Sequence, residues 1–245
     1  MTKVRLHGSG LERSDSKRNI MHIHITNYIL PVASLLVLLA DGVIEDEVFA
    51  LVREALLPRL SDKSIAVRNA AVKSSALLQD PGDSPSGNPD DALTNQLMYI
   101  CTHDSSPIVR ASAVNAIIVT RFTLPTFICR IRDTSSTVRI SALNVLKDQV
   151  DVRLMTDLER VVALRSGLTP RCETTYLAAS KMLCCGWLKS LGYSVLNLLK
   201  LLDVANSENV CEIATKAIIS ASNNNSLRDL SINDRAAYNA ALENW

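Results

Sequence analysis

A short pattern, written three times along this 245-residue chain, constrains its fold more than any other feature. It is an Asp, five residues of turn and helix start, then an Arg preceded by Val. The copies read Asp62-KSIAV-Arg68, Asp104-SSPIV-Arg110 and Asp133-TSSTV-Arg139, and each runs into a helix of small apolar residues (NAAVKSSALL, ASAVNAIIV, ISALNVL). A motif that recurs at a helix–turn–helix junction marks stacked hairpins, because one hairpin cannot bury its apolar face alone. The expected fold class is all-α, an α-solenoid of helical hairpins.

The copies are 42 and 29 residues apart. These spacings bracket the ~40-residue period of HEAT and armadillo repeats and are too uneven for an ankyrin or tetratricopeptide array. An Asp, or the Ser or Thr after it, can accept from free N–H groups at a helix start and complements the positive helix end. Pro107 falls at a first helical turn, where a missing N–H costs little. The Arg lies a turn or more into the second helix, where its fork of donors can reach an Asp of the adjacent repeat. Asp62, Arg68, Asp104, Arg110, Asp133 and Arg139 therefore read as a structural ladder between repeats rather than as a ligand site.

Composition agrees with helices. Apolar residues make up 47% and aromatics 4%, with Ala and Leu supplying the small surfaces that close helix packing requires. Six cysteines (Cys101, Cys129, Cys172, Cys184, Cys185, Cys211) sit in apolar stretches without a CxxC pair. The four histidines are not at metal-ligand spacing. Reduced, packed thiols in an intracellular protein are expected, with no metal and no cofactor. No GxxxxGK[ST] loop occurs, and no Cys or Ser has a His or carboxylate at a recognisable spacing. The chain reads as a non-enzyme.

Residues 1–27 are polar and aperiodic and read as a disordered leader. Residues 28–40 are apolar and follow Lys17 and Arg18, as in a signal peptide, yet fall short of the ~20 needed to span a bilayer. A core helix is the expectation, and no membrane partner. The helical array is expected over 28–221, in pairs 45–60 with 65–79, 91–102 with 107–120, 123–131 with 136–147, 154–168 with 172–190, and 193–202 with 209–221. Residues 80–90 (DPGDSPSGNPD) are the plainest loop. The last two pairs lack the Asp-to-Arg pattern, Thr169 to Glu173 occupying the equivalent turn. Residues 222–245 read as a polar tail with little to pack and a partial helix from Asp234.

Net charge is +1, but residues 105–200 hold 13 Lys or Arg against 6 Asp or Glu, while both flanks are acidic. A central basic block in a solenoid can track a phosphate backbone. Outside the ladder its cations are Arg121, Arg130, Arg132, Lys147, Arg153, Arg160, Arg165, Arg171, Lys181, Lys189 and Lys200. No aromatics alternate with them, so base stacking is not suggested. The alternative is a solvated basic face on a HEAT-type adaptor that binds only protein.

Several runs carry a closer resemblance: ALLPRLSDKSIAVRNAAVKSSALLQDP (55–81), CTHDSSPIVRASAVNAI (101–117), LPTFICRIRDTSSTVRISALNVLKDQVDVRLMTDLERVVALRSGL (124–168) and GWLKSLGYSVLNLLKLLDVANSENVCEIATKAI (186–218). In order and spacing they resemble the HEAT-repeat subunit family of condensin, subunit 3, also called chromosome-associated protein G. The resemblance covers about residues 45–220. It implies a non-catalytic subunit of a chromosome-condensing complex, in the nucleus and on chromosomes with a cytoplasmic pool. Double-stranded DNA and a kleisin subunit would be direct partners, with the other condensin subunits contacted indirectly. Carried onto the matched segments, it implies DNA contacts at Lys73, Arg121, Arg130, Arg132, Lys147 and Arg153. Family members are several times longer, so a fragment or shortened member is expected, poorly soluble alone because its end repeats are uncapped.

Overall fold

The computed structural model describes residues 46–169, 172–223 and 232–243. The expected leader and the helix at 28–40 lie outside the described residues. Every regular element among those described is helical. The chain divides into two compact units, Met1–Leu78 and Gln79–Trp245.

In the first unit, α1 (Asp46–Leu56) tightens into a 3-10 turn at Leu57–Ser61, and α2 (Ile65–Ser74) ends in another at Ser75–Leu77. Pro58 accounts for the first change: without an N–H it cannot continue the α-helical ladder. Leu56, Leu60, Val67, Ala71 and Val72 are buried, and Arg53 donates to the Leu78 carbonyl at 2.8 Å.

The second unit contains α3 (Ala92–His103), α4 (Pro107–Ala116), α5 (Leu124–Arg130), α6 (Ser136–Asp148) and α7 (Asp157–Gly167). Next, α8 (Glu173–Lys181) passes through a π-helical stretch, Met182–Trp187, into a final turn at Leu188–Ser190. The last helices are α9 (Val195–Leu201), α10 (Val204–Asn223) and α11 (Ile232–Glu243). First helices adjoin first helices (α3 on α5, α5 on α7), and second adjoin second (α4 on α6, α6 on α8). This is the two-layer packing of stacked hairpins. Leu93, Leu97, Val109, Ala113, Leu143, Leu146, Leu164, Leu183 and Trp187 fill the space between layers.

Small residues permit the closest approaches. A Cβ on Gly186 would lie 2.8 Å from the Lys147 carbonyl oxygen, so Gly lets the π-helical stretch rest on the backbone of α6. Among the described residues no single helix is long and apolar enough to cross a membrane. One bent pair, Glu173–Ser190 with Val195–Leu201, passes by length and composition, but it carries Trp187, Leu188 and Leu198 into the core.

Three stretches differ from the sequence expectation. The helix expected over 107–120 stops at Ala116, because Ile117 turns extended and Thr123 ties the following loop through its hydroxyl to the Ile118 carbonyl. The helix expected from 154 starts only at Asp157. Residues 152–154 form a 3-10 turn, and Thr156 with Glu159 builds a capping box. The tail is not a segment with little to pack: α11 buries Tyr238 completely, and its hydroxyl donates to the Ile218 carbonyl at 2.6 Å.

Candidate nucleic-acid interface

The three Asp-to-Arg copies adopt one local geometry. Each carboxylate accepts the backbone N–H two residues on: Asp62 from Ser64 at 2.8 Å, Asp104 from Ser106 at 2.8 Å, Asp133 from Ser135 at 2.9 Å. Each Arg reaches back through Nη1 to the carbonyl of the same Asp: Arg68 at 2.9 Å, Arg110 at 2.8 Å, Arg139 at 2.9 Å. The Asp stops the chain in a turn, and the Arg closes that turn from within the following helix. The Ser preceding each helix makes no side-chain cap bond, and the carboxylate holds that Ser by its own N–H.

Within the second unit the remaining donors of each Arg point to the next repeat. Arg110 grips Asp133 in a fork, Nε at 3.0 Å and Nη2 at 2.8 Å. Arg139 makes the equivalent reach to the hydroxyl of Thr175 at 3.1 Å. Asp133 is nearly buried, which pushes its carboxyl up, but the bonds from Arg110 and the Ser135 N–H, with the Arg110 and Arg130 charges, outweigh this. The net result holds it below the usual carboxylate range.

The six cations singled out for DNA occupy unlike places. Arg130 turns inward and joins the ladder, its Nη1 3.3 Å from Asp133 and near the carbonyls of Cys101 and Thr102. Arg121 pairs with Glu159 at 2.8 Å, Lys147 with Asp148 at 3.4 Å, and Arg153 with Asp151 at 3.3 Å. Arg132 and, in the first unit, Lys73 are exposed without an ion-pair partner among the described residues. Arg165, in the last turn of α7, is likewise exposed. Arg132 and Arg165 lie where first helices end, the edge that also carries the ladder turns.

Sequence reasoning missed the role of Arg160, which it grouped with the cations of the central basic block outside the ladder. Its residue is 4% exposed. The guanidinium donates to the carbonyls of Leu201 (2.8 Å), Val152 (3.0 Å) and Met155 and to the Asp157 carboxylate. It joins the turn before α7 to the end of α9, so the stack is held there without a repeated motif. The available signal was Thr156-x-x-Glu159, which fixes where α7 begins and places residue 160 on its first, inward-facing turn.

Cysteine chemistry divides by position. Burial pushes the Cys101 and Cys184 thiols up to about 12. Cys172, half-exposed at the start of α8, is instead drawn down to about 6 by the Thr174 hydroxyl, by the Thr175 hydroxyl and N–H, and by Arg139. Iodoacetamide at neutral pH should therefore label Cys172 well before Cys101 or Cys184, its rate rising through about pH 6 and levelling above it, as peptide mapping can follow. No group of three or more His, Cys, Asp or Glu among the described residues could hold a metal ion.

Hairpins stacked in two layers and pinned at their turns by a ladder of Asp and Arg define a HEAT-repeat protein. The family model described as HEAT repeat associated with sister chromatid cohesion matches residues 50–74 and 100–117. Over about seven-tenths of its length the chain is a homologue of condensin complex subunit 3. The Homo sapiens protein of that name is 35% identical over 177 residues, 72% of this chain and 17% of the relative. That of Xenopus laevis is 35% identical over 179 residues, 73% and 17%. The Schizosaccharomyces pombe protein is 33% identical over 175 residues, 71% and 19%. Among solved structures, the crystal structure of the S. pombe condensin Cnd3-Cnd2 subcomplex matches with a TM-score of 0.71 and 27% identity, over 88% of this chain and 30% of that one. The chain thus spans less than a fifth of the length of these curated relatives.

Proposed function

We propose that this chain is the HEAT-repeat part of a condensin subunit 3-type protein. In this reading it is a non-catalytic scaffold that holds duplex DNA by its phosphates and carries a kleisin in a chromosome-associated complex. The observation that carries the reading is the likeness, at 27% identity over 88% of the chain, to a chain of the S. pombe condensin Cnd3-Cnd2 subcomplex. The basic excess of residues 105–200 supports the DNA part, and it narrows once internal pairs are set aside. Among the described residues of that block, Arg132 and Arg165 are exposed along the ladder edge without an ion-pair partner, where they can meet a phosphate backbone. For Arg130, the bond to Asp133 favours a place in the ladder over one on the DNA.

Mobility shift of a short duplex at two salt concentrations tests this. Binding should be indifferent to sequence and weaken steeply with salt, with a log–log slope of about −0.9 per phosphate neutralised. Arg132→Glu with Arg165→Glu should weaken binding about tenfold or more at low salt and leave helical content unchanged. No shift of any duplex at low salt would favour the protein-only adaptor, a reading supported by the number of central cations already paired within the chain.

A further inference from the structure

On the edge of the second unit opposite the ladder turns, loop 81–86, residues 118–121 and residues 149–154 enclose a groove of about 730 Å³. Its lining is mainly apolar, drawn from Ile118, Val119, Leu124, Val150 and Leu154, and Leu154 stands at its mouth 75% exposed. We propose that this groove docks a protein segment combining aliphatic or aromatic side chains with Lys or Arg.

The wall of the groove is built before any occupant arrives. Although the loop is rich in Pro and Gly, the Arg121 N–H donates to the Pro85 carbonyl at 3.2 Å and the Phe122 N–H to the Ser86 carbonyl at 2.9 Å. Asn88 donates to Asp80 at 2.9 Å. Gly87, at φ +90°, lies so close to the neighbouring turn that a Cβ there would fall 2.4 Å from the Thr120 hydroxyl. A wall held this way loses little freedom on binding, which favours affinity.

Charge selects the occupant. Residues 80–91 contain Asp80, Asp83, Asp90 and Asp91 and no Lys or Arg. Asp83 lines the groove and, like Asp90, is exposed and makes no side-chain bond among the described residues. The cation in the lining, Arg121, is neutralised by Glu159 at 2.8 Å, and Asp151 is held by Arg153 at 3.3 Å. What faces solvent is an apolar floor beside one unpaired carboxylate, Asp83, complementary to a peptide that carries apolar side chains and a Lys or Arg. The proposal stands apart from the DNA reading, which concerns the opposite edge.

The test is selection from a random dodecapeptide library displayed on phage. It is panned on the immobilised full chain and counter-selected on the folded double variant Asp83→Lys, Leu154→Ser. Both side chains are solvent-facing, so circular dichroism should be unchanged. Groove-dependent peptides should be enriched in Lys or Arg together with Leu, Ile or Phe. A labelled copy of the leading peptide should bind about tenfold more weakly to each single variant, and short duplex DNA should not displace it. Failure to enrich any groove-dependent peptide, enrichment of acidic ones, or displacement by the duplex would overturn the proposal.

Discussion

Asp133→Ala should lower the stability of the second unit by about 3–5 kcal/mol, the range for removing one partner of a buried ion pair, read as a fall in the midpoint of urea unfolding. The size follows from what is left behind. Arg110 loses both arms of its fork and Arg130 its ion pair, while the Ser135 N–H loses its acceptor. Two guanidiniums, with side chains only 11% and 16% exposed, then lose their ion-pair partner. Asp133→Asn keeps an acceptor but not the charge and falls between wild type and Ala. The same carboxylate gives an acid dependence. Its folded pKa lies below the unfolded value of about 3.9, so its contribution is complete above that value. It fades as pH falls from there toward the folded pKa. In Asp133→Asn that part of the acid dependence is absent, which unfolding midpoints across pH 2–6 would reveal.

Arg160→Ala should have a comparable effect for a different reason, about 3–5 kcal/mol from the backbone acceptors it strands. Here the guanidinium serves three backbone carbonyls and the Asp157 carboxylate at once. Truncation strands buried acceptors in the turn before α7 and at the end of α9, each costing about 1–3 kcal/mol. Arg160→Lys recovers little, since one ammonium cannot spread its donors as the planar fork does. Arg132→Glu, by contrast, changes stability by no more than about 0.5 kcal/mol, the usual range for an exposed site. An Arg160→Ala chain melting like wild type would mean that the turn before α7 is held by packing alone.

The architecture was legible because its causes are local and repeated. Asp104, Pro107, Val109 and Arg110 each state a turn, a first helical position, a core position and a closing donor within seven residues. Side-chain pairing was not legible, since it depends on which repeat stacks on which. Nothing near Arg130 in sequence distinguishes it from Arg132. They lie two residues apart, on either side of the end of α5, and only the folded turn sends one to Asp133 and the other to solvent. Tyr238 was hidden for a related reason: one aromatic in a polar stretch has no period, and its socket is made by Ile218, Cys184 and Tyr193 far upstream. The groove was invisible because three separate loops must converge before it exists.

The rung after Arg139 ends on the Thr175 hydroxyl, where its predecessor ends on a carboxylate. A hydroxyl has no proton to gain in dilute acid, so that joint holds while the one at Asp133 slackens. In acid, therefore, the joint at Asp133 weakens while its neighbour at Thr175 does not, so lowering the pH and adding urea load the two joints differently.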